Sequence, residues 1–389
     1  MRDQESSGAR QWADAVIVGG GVIGLSIARA LARRGMERVI LIERGRLGAE
    51  ASHAAAGMLA AQAEANSDDA FLSLACASRD LYPSFAAALL EETGLNIELE
   101  RTGTLYLAFT EEDEAEIEHR YEWQKRAGLH VEALTIDEAR RLEPCVSPHV
   151  RRALRFPLDV QVENRRLIAA LAVAVERAGG RLMTGTNVES LIVERERVTG
   201  VETSQGRIAA PGVVLASGAW TSFIRQPETS AVAPVRIEPV RGQMLCFEAN
   251  PRPLAHVIYS PRGYLVPRLD GRLLAGSTTE RAGFDPSVTG GGIHTITSHA
   301  IEIAPIVSRL PLMDAWAGLR PLATGDELPV LGGSADVCGL YYATGHYRNG
   351  ILLAPITGEL IAEEITSGVR PPLLEAFTPD RFGHSVGIN

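Results

Sequence analysis

The chain has 389 residues, of which 46% are hydrophobic and 22% are charged, and its formal net charge is −10. This length predicts two or three lobes with sizeable cores, and the composition is that of an ordinary globular protein. The acidic balance argues against nucleic-acid binding, which needs a basic surface, and favours a small substrate.

The N-terminal residues 1–14 are polar, and we expect them to be frayed. The apolar stretch that follows, AVIVGGGVIGLSIA, is too short and too rich in glycine to span a membrane, and its flanks lack signal-peptide features. The four cysteines stand far apart with no CxxC pair, which predicts free thiols in a reducing cytoplasm and no metal site. They are Cys76, Cys145, Cys246 and Cys338.

A β-α-β unit is predicted at the start of the ordered chain. Ala15–Val18 has the pattern of a buried strand, residues 22–34 that of a helix, and Val39–Glu43 that of a second strand. Between the first strand and the helix lies a run of glycines. This order of elements is typical of a nucleotide-binding fold.

The glycine run fits a dinucleotide fingerprint, Gly19-x-Gly21-x-x-Gly24, with Glu43 nineteen residues after its last glycine. Gly19 allows a tight turn, Gly21 lets a pyrophosphate approach the helix N-terminus, and Gly24 permits close helix–strand packing. Glu43 suits a ribose hydroxyl and disfavours NADP. FAD and NAD share this fingerprint.

The loop RGRLGAEASHAAAGML after Glu43 helps to choose between the two cofactors. Its small residues, Ser52 and Ala54 to Gly57, predict backbone that lies flat against a large cofactor, which an NAD fold normally lacks. A flexible linker is the alternative, but Met58-Leu59 within the loop counts against it. We therefore favour FAD.

Further elements alternate between helical and antiparallel segments. Helices are predicted at residues 71–92, with Asp68 or Asp69 as the cap, at 111–128 as an acidic solvated helix, and from Glu163 to 178. A strand at 181–184 and a β-meander at 188–218 follow. We interpret this alternation as two interleaved lobes.

The region from Val235 to Ser277 is rich in predicted strands. Asp270-Gly271 is the strongest hairpin signal in the chain. A strand at residues 339–345 and a closing helix from about Ile356 to Ser367 complete the pattern. That helix is predicted to start after Pro355.

Five stretches together resemble the D-amino-acid-oxidase superfamily of FAD-dependent amine oxidoreductases, and within it the glycine oxidases of thiamine biosynthesis. They are GGGVIGLSIA, ASHAAAGML, YLVPRLDGRLLAGST, WAGLRP and GHYRNGILLAP. The resemblance implies an α/β fold, with a Rossmann-like FAD lobe of the glutathione-reductase type and a substrate lobe with a mostly antiparallel sheet. It implies three FAD-lobe segments, 13–90, 151–222 and 315–389, and two substrate-lobe segments, 91–150 and 223–314.

The resemblance also implies the residues that hold FAD. The ADP half and adenine would contact the fingerprint, Glu43, Arg44 and the Val188 backbone, while the small-residue loop and GHYRNGIL would contact the ribityl and ring. The implied set is Gly19, Gly21, Val22, Ile23, Gly24, Glu43, Arg44, Ser52, Ala55, Ala56, Gly57, Met58, Val188, Gly345, His346, Arg348, Asn349, Gly350, Ile351 and Leu352. The region that matches the covalent attachment site of sarcosine oxidases has no cysteine, which predicts non-covalent FAD.

By the same similarity, Arg320 would bind the substrate carboxylate, Tyr264 would donate to it, and Arg348 would lie near the substrate. Tyr259, five residues before Tyr264, is a candidate for the entrance of the site, with a place in the core as the alternative. These side chains would aim Cα–H at flavin N5, so that hydride transfer gives an imine without a side-chain base. Whether Arg348 serves substrate or flavin stays open, and so does a role for His53.

The implied activity is oxidation of glycine, sarcosine and small D-amino acids, with O2 reoxidation giving H2O2 and the imine used for the thiazole of thiamine. The alternatives are a D-amino-acid or sarcosine-type dehydrogenase that passes electrons to a quinone or partner subunit, and a non-catalytic flavin-binding subunit. Residues 260–264 and Thr278-Thr279 differ from the glycine-oxidase pattern, so the preferred amine stays open. We expect a cytoplasmic homo-oligomer with no nucleic-acid or membrane partner.

Overall fold

The computed structural model describes residues 11–225 and 235–382. Residues 1–10, most of the predicted frayed start, lie outside them. The prediction is wrong for the residues that follow, because Gln11–Trp12 form a strand paired in parallel with Ile208–Ala209. The edge of a sheet thus orders this polar segment.

The described helices are α1 (Val22–Arg33), α2 (Ala51–Ala54), α3 (Ala70–Thr93), α4 (Glu111–Arg126), α5 (Ile136–Leu142), α6 (Asn164–Arg177), α7 (Gly290–Ile303) and α8 (Gly350–Ser367). The strands are β1 (Gln11–Trp12), β2 (Ala15–Val18), β3 (Val39–Ile42), β4 (Met58–Leu59), β5 (Thr104–Ala108), β6 (Glu132–Leu134), β7 (Arg152–Phe156), β8 (Val160–Gln161), β9 (Arg181–Met183), β10 (Val188–Glu194), β11 (Arg197–Thr203), β12 (Gly206–Ala209), β13 (Val213–Leu215), β14 (Ile237–Glu248), β15 (Val257–Ser260), β16 (Gly263–Pro267), β17 (Arg272–Gly276), β18 (Leu312–Ala323), β19 (Val330–Gly333) and β20 (Leu340–Thr344). Among the described helices none is long and apolar enough to cross a membrane.

A six-stranded sheet forms the nucleotide-binding layer, in the order β19-β20-β13-β2-β3-β9. Its strands are parallel except for β19 at the edge. The central strands β2 and β3 are apolar throughout and fully buried, as expected for a parallel sheet covered on both faces. Helices α1, α3, α6 and α8 contribute to the core on one face.

An eight-stranded sheet, β18-β14-β17-β16-β15-β5-β7-β6, forms the second layer. It is antiparallel apart from the β15–β5 pair, and α7 packs on one face. Its strands come from residues 104–156 and 237–323, on both sides of segments that build the first sheet. This interleaving confirms the predicted fold class, whereas the segment boundaries of the lobes stay a prediction.

Several local predictions are confirmed. Helix α3 is capped by Asp69, whose side chain accepts from Leu72 N at 2.9 Å. Helix α6 is capped by Glu163. The predicted hairpin joins β16 to β17, with Gly271 at φ 87°. Turn and cap residues act locally, so the sequence alone suffices to locate these ends.

The predicted start of the last helix is wrong: α8 begins at Gly350, and Pro355 lies inside it. A proline cannot donate a hydrogen bond to the carbonyl four residues earlier, which here is Ile351 O. The buried Tyr82 hydroxyl donates to that carbonyl instead, and Ser78 Oγ donates to Leu352 O at 2.6 Å. Helix α3 thus supplies the donors that let α8 continue through the proline.

Candidate active site

A cavity of about 580 Å³ lies where the two sheets meet. The turn after β2, the end of β3 and the N-terminal turns of α1 and α8 line one part of it. The small-residue loop and the facing segments of β14 and β18 line the rest. Two helix N-termini and a wall of glycine and alanine therefore surround one elongated space.

The fingerprint glycines form a close-packed turn at one end of this cavity. Gly19 has φ 115°, and a Cβ there would collide with the Ala216 backbone. A Cβ on Gly24 would collide with the carbonyl of Gly19, so Gly24 lies under the turn rather than on the cavity wall. Gly21 precedes the first turn of α1 and faces the cavity. This arrangement leaves the helix N-terminus open to an anionic group.

Glu43 lies beside this turn and is held by backbone amides. Gly20 N donates to Oε2 at 2.8 Å and Gly45 N donates to Oε1 at 2.8 Å. Each carboxylate oxygen keeps a further lone pair, so Glu43 can accept from a hydroxyl as well. The neighbouring Arg44 guanidinium lies 3.9 Å from the Trp220 ring centroid.

The small-residue loop is fixed from behind. Gly57 has φ 72°, and a Cβ there would collide with the carbonyl of Val162. The buried Arg268 donates to Ala56 O at 2.8 Å and to Val162 O at 2.7 Å. Burial lowers the pKa of Arg268 to about 10, which still keeps it charged at neutral pH. Ser52 Oγ accepts from Val22 N at 3.0 Å, which ties the loop to α1.

Arg320 lies on β18 directly over Gly242 of β14, where any side chain would collide with its guanidinium. Nη2 donates to Ser277 Oγ at 2.7 Å and Nη1 donates to Thr278 O at 3.1 Å. Among the residues that the structure describes, no carboxylate lies within ion-pair distance of Arg320. Its charge is therefore oriented by neutral acceptors and remains free to bind an anion.

Tyr264 lines the same part of the cavity. Its hydroxyl donates to Met244 Sδ at 3.2 Å, a weak acceptor that a carboxylate can replace. The ring is stacked on Tyr259, with centroids 6.3 Å apart. Tyr259 itself lies behind the cavity wall, and burial raises the pKa of its hydroxyl.

The GHYRNG turn is joined to strand β18 next to Arg320, and Arg348 lines the same cavity as Arg320. Tyr347 N donates to Pro321 O at 2.9 Å, and Tyr347 has φ 47°. The Arg348 guanidinium lies 3.5 Å from Glu64 Oε1 and 3.4 Å from the Tyr259 hydroxyl. Glu64 raises the pKa of Arg348. Arg348 thus forms an ion pair on the cavity wall, which the sequence did not indicate.

The two candidate histidines differ in their place relative to the cavity, because His346 lies on its wall and His53 does not. His346 is buried, its Nε2 lies 3.1 Å from Thr357 Oγ1, and burial lowers its pKa to about 3. His53 is exposed overall, and partial burial of its ring, followed by the charge of Arg165, lowers its pKa. Both are therefore neutral at physiological pH.

The structure brings most predicted site residues to the cavity wall and leaves four behind it. Gly24 packs under the turn, Gly345 packs against Ala323, and Leu352 is buried in α8. Tyr259 is the fourth. On the wall lie Gly19, Gly21, Val22, Ile23, Glu43, Arg44, Ser52, Ala55, Ala56, Gly57, Met58, Val188, Tyr264, Arg320, His346, Arg348, Asn349, Gly350 and Ile351.

Other wall residues were not predicted. Gly242, Met244 and Gly318 come from β14 and β18, which converge only in the folded protein. Glu64 also lies on the wall and follows the small-residue loop by a few positions. An acid within an alanine-rich stretch was the signal in the sequence that could have indicated its role. Trp220 joins the wall next to Arg44.

These residues fit FAD. The fingerprint turn and the N-terminus of α1 suit a pyrophosphate, Glu43 suits a ribose, and the small residues from Ala54 to Gly57 leave the cavity wall free of large side chains. The four free cysteines lie away from the wall. Non-covalent binding remains a prediction.

Comparisons with known proteins agree with this geometry. The sequence model of the family described as FAD dependent oxidoreductase (DAO) matches residues 14–364. The bifunctional protein ThiO/ThiG of Trichormus variabilis is 39% identical over 380 residues, which is 95% of this chain and 55% of that protein. The chain thus spans about half the length of the first curated relatives that it matches.

Full-length relatives also match. The glycine oxidase of Geobacillus kaustophilus is 38% identical over 379 residues, covering 96% of this chain and 98% of that protein. A crystal structure of glycine oxidase from that organism matches with a TM-score of 0.89 at 35% identity. The match covers 97% of this chain and 100% of the chain in that structure. L-proline dehydrogenase from P. horikoshii has a TM-score of 0.85 at 26% identity, with coverages of 96% and 98%.

Proposed function

The chain belongs to the family of FAD-dependent oxidoreductases, and from this premise we propose that it oxidises glycine and other small amines, such as sarcosine and small D-amino acids. The proposed product is an imine, with O2 as the oxidant and H2O2 as the reduced product. The full-length glycine-oxidase relatives support this activity. The similarity to ThiO/ThiG supports use of the imine for the thiazole of thiamine.

One observation carries the proposal: the guanidinium of Arg320, which has no carboxylate partner among the described residues, and the hydroxyl of Tyr264 line the same cavity as the dinucleotide fingerprint. Arginine binds a carboxylate through two parallel N–H bonds and keeps its charge at any physiological pH. Ser277 and Thr278 fix its orientation from behind. An amino acid bound there has its carboxylate held at one end of the cavity.

The side chains contribute binding and orientation. Arg320 and Tyr264 would hold the carboxylate, which restricts how the Cα–H bond points and lowers the entropic cost of reaching the reactive geometry. When bound, FAD would supply the hydride acceptor and the route of electrons to O2, chemistry that no side chain here provides. Met244 lies on the same wall and accepts from the Tyr264 hydroxyl.

No side-chain base is needed, because the amine itself must be neutral before hydride can leave Cα. The neutral, buried His346 and the exposed His53 are consistent with this requirement. We therefore expect the rate to rise with pH as the substrate amine loses its proton. The rise should follow the amine and not a histidine.

The structural likeness to L-proline dehydrogenase favours one alternative, a dehydrogenase that passes electrons to a quinone or a partner. H2O2 production and dye reduction by the same preparation distinguish the two. An oxidase gives H2O2 in proportion to substrate consumed, whereas a dehydrogenase reduces only the dye. A non-catalytic flavin-binding subunit gives neither.

The decisive experiment is anaerobic mixing of the purified holoprotein with glycine, sarcosine, D-alanine and D-proline. Bleaching of the flavin absorbance by at least one of them supports the proposal, and their relative rates give the preferred amine. Absence of bleaching with all four, in protein with full FAD content, would refute it.

We also propose a cytoplasmic location and a homo-oligomeric state. The four free thiols support a reducing compartment. The oligomeric state rests on the family resemblance alone, and light scattering on the purified holoprotein tests it. A mass equal to one chain would contradict it.

A further inference from the structure

Glu64 is an acid on the cavity wall that no part of the proposed mechanism uses. Its side chain is 13% exposed, and its charged partner within 4 Å is Arg348, with Oε1 at 3.5 Å from Nη2. The Tyr259 hydroxyl accepts from the same Nη2 at 3.4 Å. Glu64 and Tyr259 together fix the guanidinium of Arg348.

The backbone that carries Glu64 is held firmly. Gln62 N and Ala63 N donate to the buried Asp159 carboxylate at 2.9 and 2.7 Å. Arg79 pairs with the same carboxylate at 3.2 Å. Glu64 therefore has a defined position, unlike a surface acid that samples many rotamers, and its pairing with Arg348 is built into the fold.

The two arginines of this region differ in their pairing. Within residues 11–225 and 235–382, Arg320 donates to neutral acceptors and has no carboxylate partner, whereas Arg348 has Glu64 as its counter-ion. Both arginines lie on the wall of one cavity, and the hydrogen bond from Tyr347 N to Pro321 O joins the backbone next to each of them. The local charge is thus two cations and one anion, which leaves one positive charge for one carboxylate.

The remaining charged groups on the wall do not alter this balance. Arg44 pairs with Glu50 at 2.8 Å, and Arg225 pairs with Glu189 at 3.5 Å. Glu43 is bound to backbone amides at the fingerprint turn. These charges belong to the dinucleotide side, so among the described residues on the wall Glu64 is the acid that pairs with Arg348.

We propose that Glu64 is a specificity-determining residue: by occupying Arg348 it restricts the site to amines with a single carboxylate and disfavours amines with a second anionic group on nitrogen. The proposal rests on the proposed function for the location of the substrate. Without Glu64, Arg348 is a second anion-binding guanidinium near the first. Bidentate binding of two carboxylates would then be possible in one cavity.

The test uses two ethers without an amine, which the enzyme cannot oxidise. Methoxyacetate carries one carboxylate, and oxydiacetate carries two at the spacing of N-carboxymethylglycine. Their Kd values are measured on holoprotein from the change in flavin absorbance and by calorimetry. We expect oxydiacetate to bind the natural protein no more tightly than methoxyacetate.

In Glu64→Gln, which keeps the side-chain size, the affinity for oxydiacetate relative to methoxyacetate is expected to rise at least tenfold. Glu64→Asp keeps the charge and should keep a ratio near that of the natural protein. The double variant Glu64→Gln/Arg348→Gln should lose the gain. Should Glu64→Gln fail to fold, Arg348→Gln tests the same point, because an unpaired Glu64 must lower the ratio.

An unchanged ratio in Glu64→Gln, or a gain that survives loss of Arg348, would overturn the inference. Failure of the proposed function has a different signature, in which methoxyacetate does not perturb the flavin and no amine bleaches it. If methoxyacetate binds and the ratio does not move, only the role of Glu64 is refuted.

Discussion

Replacement of Arg320 by methionine removes the charge that we assign to carboxylate binding and keeps a side chain of similar length. The guanidinium is oriented by Ser277 and Thr278 and has no counter-ion within 4 Å among the described residues. Each charge-assisted hydrogen bond to the substrate contributes about 1.5–3 kcal/mol. Because the site is partly open to water, we take the two hydrogen bonds from Arg320 to the substrate carboxylate together as about 3 kcal/mol, which corresponds to a roughly 100- to 200-fold lower kcat/KM.

The structural cost of the same change is small. Ser277 and Thr278 line a second cavity of about 560 Å³, from which water can replace the lost donors. We therefore expect Arg320→Met to keep its FAD and a Tm within about 2 °C of the natural protein. The loss should fall on kcat/KM for glycine, because both binding and orientation of the carboxylate depend on the guanidinium.

The assay measures kcat/KM, FAD content and Tm together. Arg281→Met is the matched control, since Arg281 is 69% exposed, pairs with Glu238 and is not on the cavity wall. A kcat/KM for Arg320→Met within threefold of that control would refute the assignment. Loss of FAD from Arg320→Met would also refute it, because it would place the arginine at the cofactor.

Three further predictions concern the cofactor wall, the last helix and acid stability. Gly57→Ala should lose FAD and more than about 1 kcal/mol of stability, because φ is 72° and the added Cβ would collide with Val162 O. Gly185→Ala is the control, because Gly185 has a similar φ of 65° but open space around it, which separates backbone strain from collision. Equal losses of stability in the two variants would contradict the reasoning. Tyr82→Phe removes the hydroxyl that donates to the buried Ile351 carbonyl, so denaturant titration should show a free energy of unfolding about 1–3 kcal/mol lower. Tyr121 is half-buried, and Tyr121→Phe is the control. The folded-state pKa of His346, about 3, lies below its unfolded value, 6.5, so its contribution is complete above pH 6.5 and is lost as pH falls toward 3. We expect the stability advantage over His346→Gln to shrink by about 1.4 kcal/mol per pH unit below that value, and a difference that stays constant from pH 7 to 5 would refute a buried neutral histidine.

Local patterns were sufficient for much of the fold. The β2–α1–β3 unit, the Asp69 cap of α3 and the β16–β17 hairpin all lie where the sequence predicts them. Each depends on interactions between residues a few positions apart, such as a side chain capping its own helix. The start of α8 was predicted wrongly because its continuation through Pro355 depends on hydroxyl donors from α3, which lie far away in sequence.

A carboxylate-binding role for Arg320 and Tyr264 was expected only from the family resemblance. By itself the sequence determined the dinucleotide features of the site: glycines at fixed spacing and an acid after the second strand. Those features are set by residue type and short spacing, so they can be seen without coordinates. Only the tertiary structure decided which charges are free. In the part of the chain that the structure describes, Arg348 has a carboxylate partner and Arg320 has none, because strand β18, the GHYRNG turn and the loop carrying Glu64 converge on one cavity. Pairing across such distances leaves no trace in local sequence.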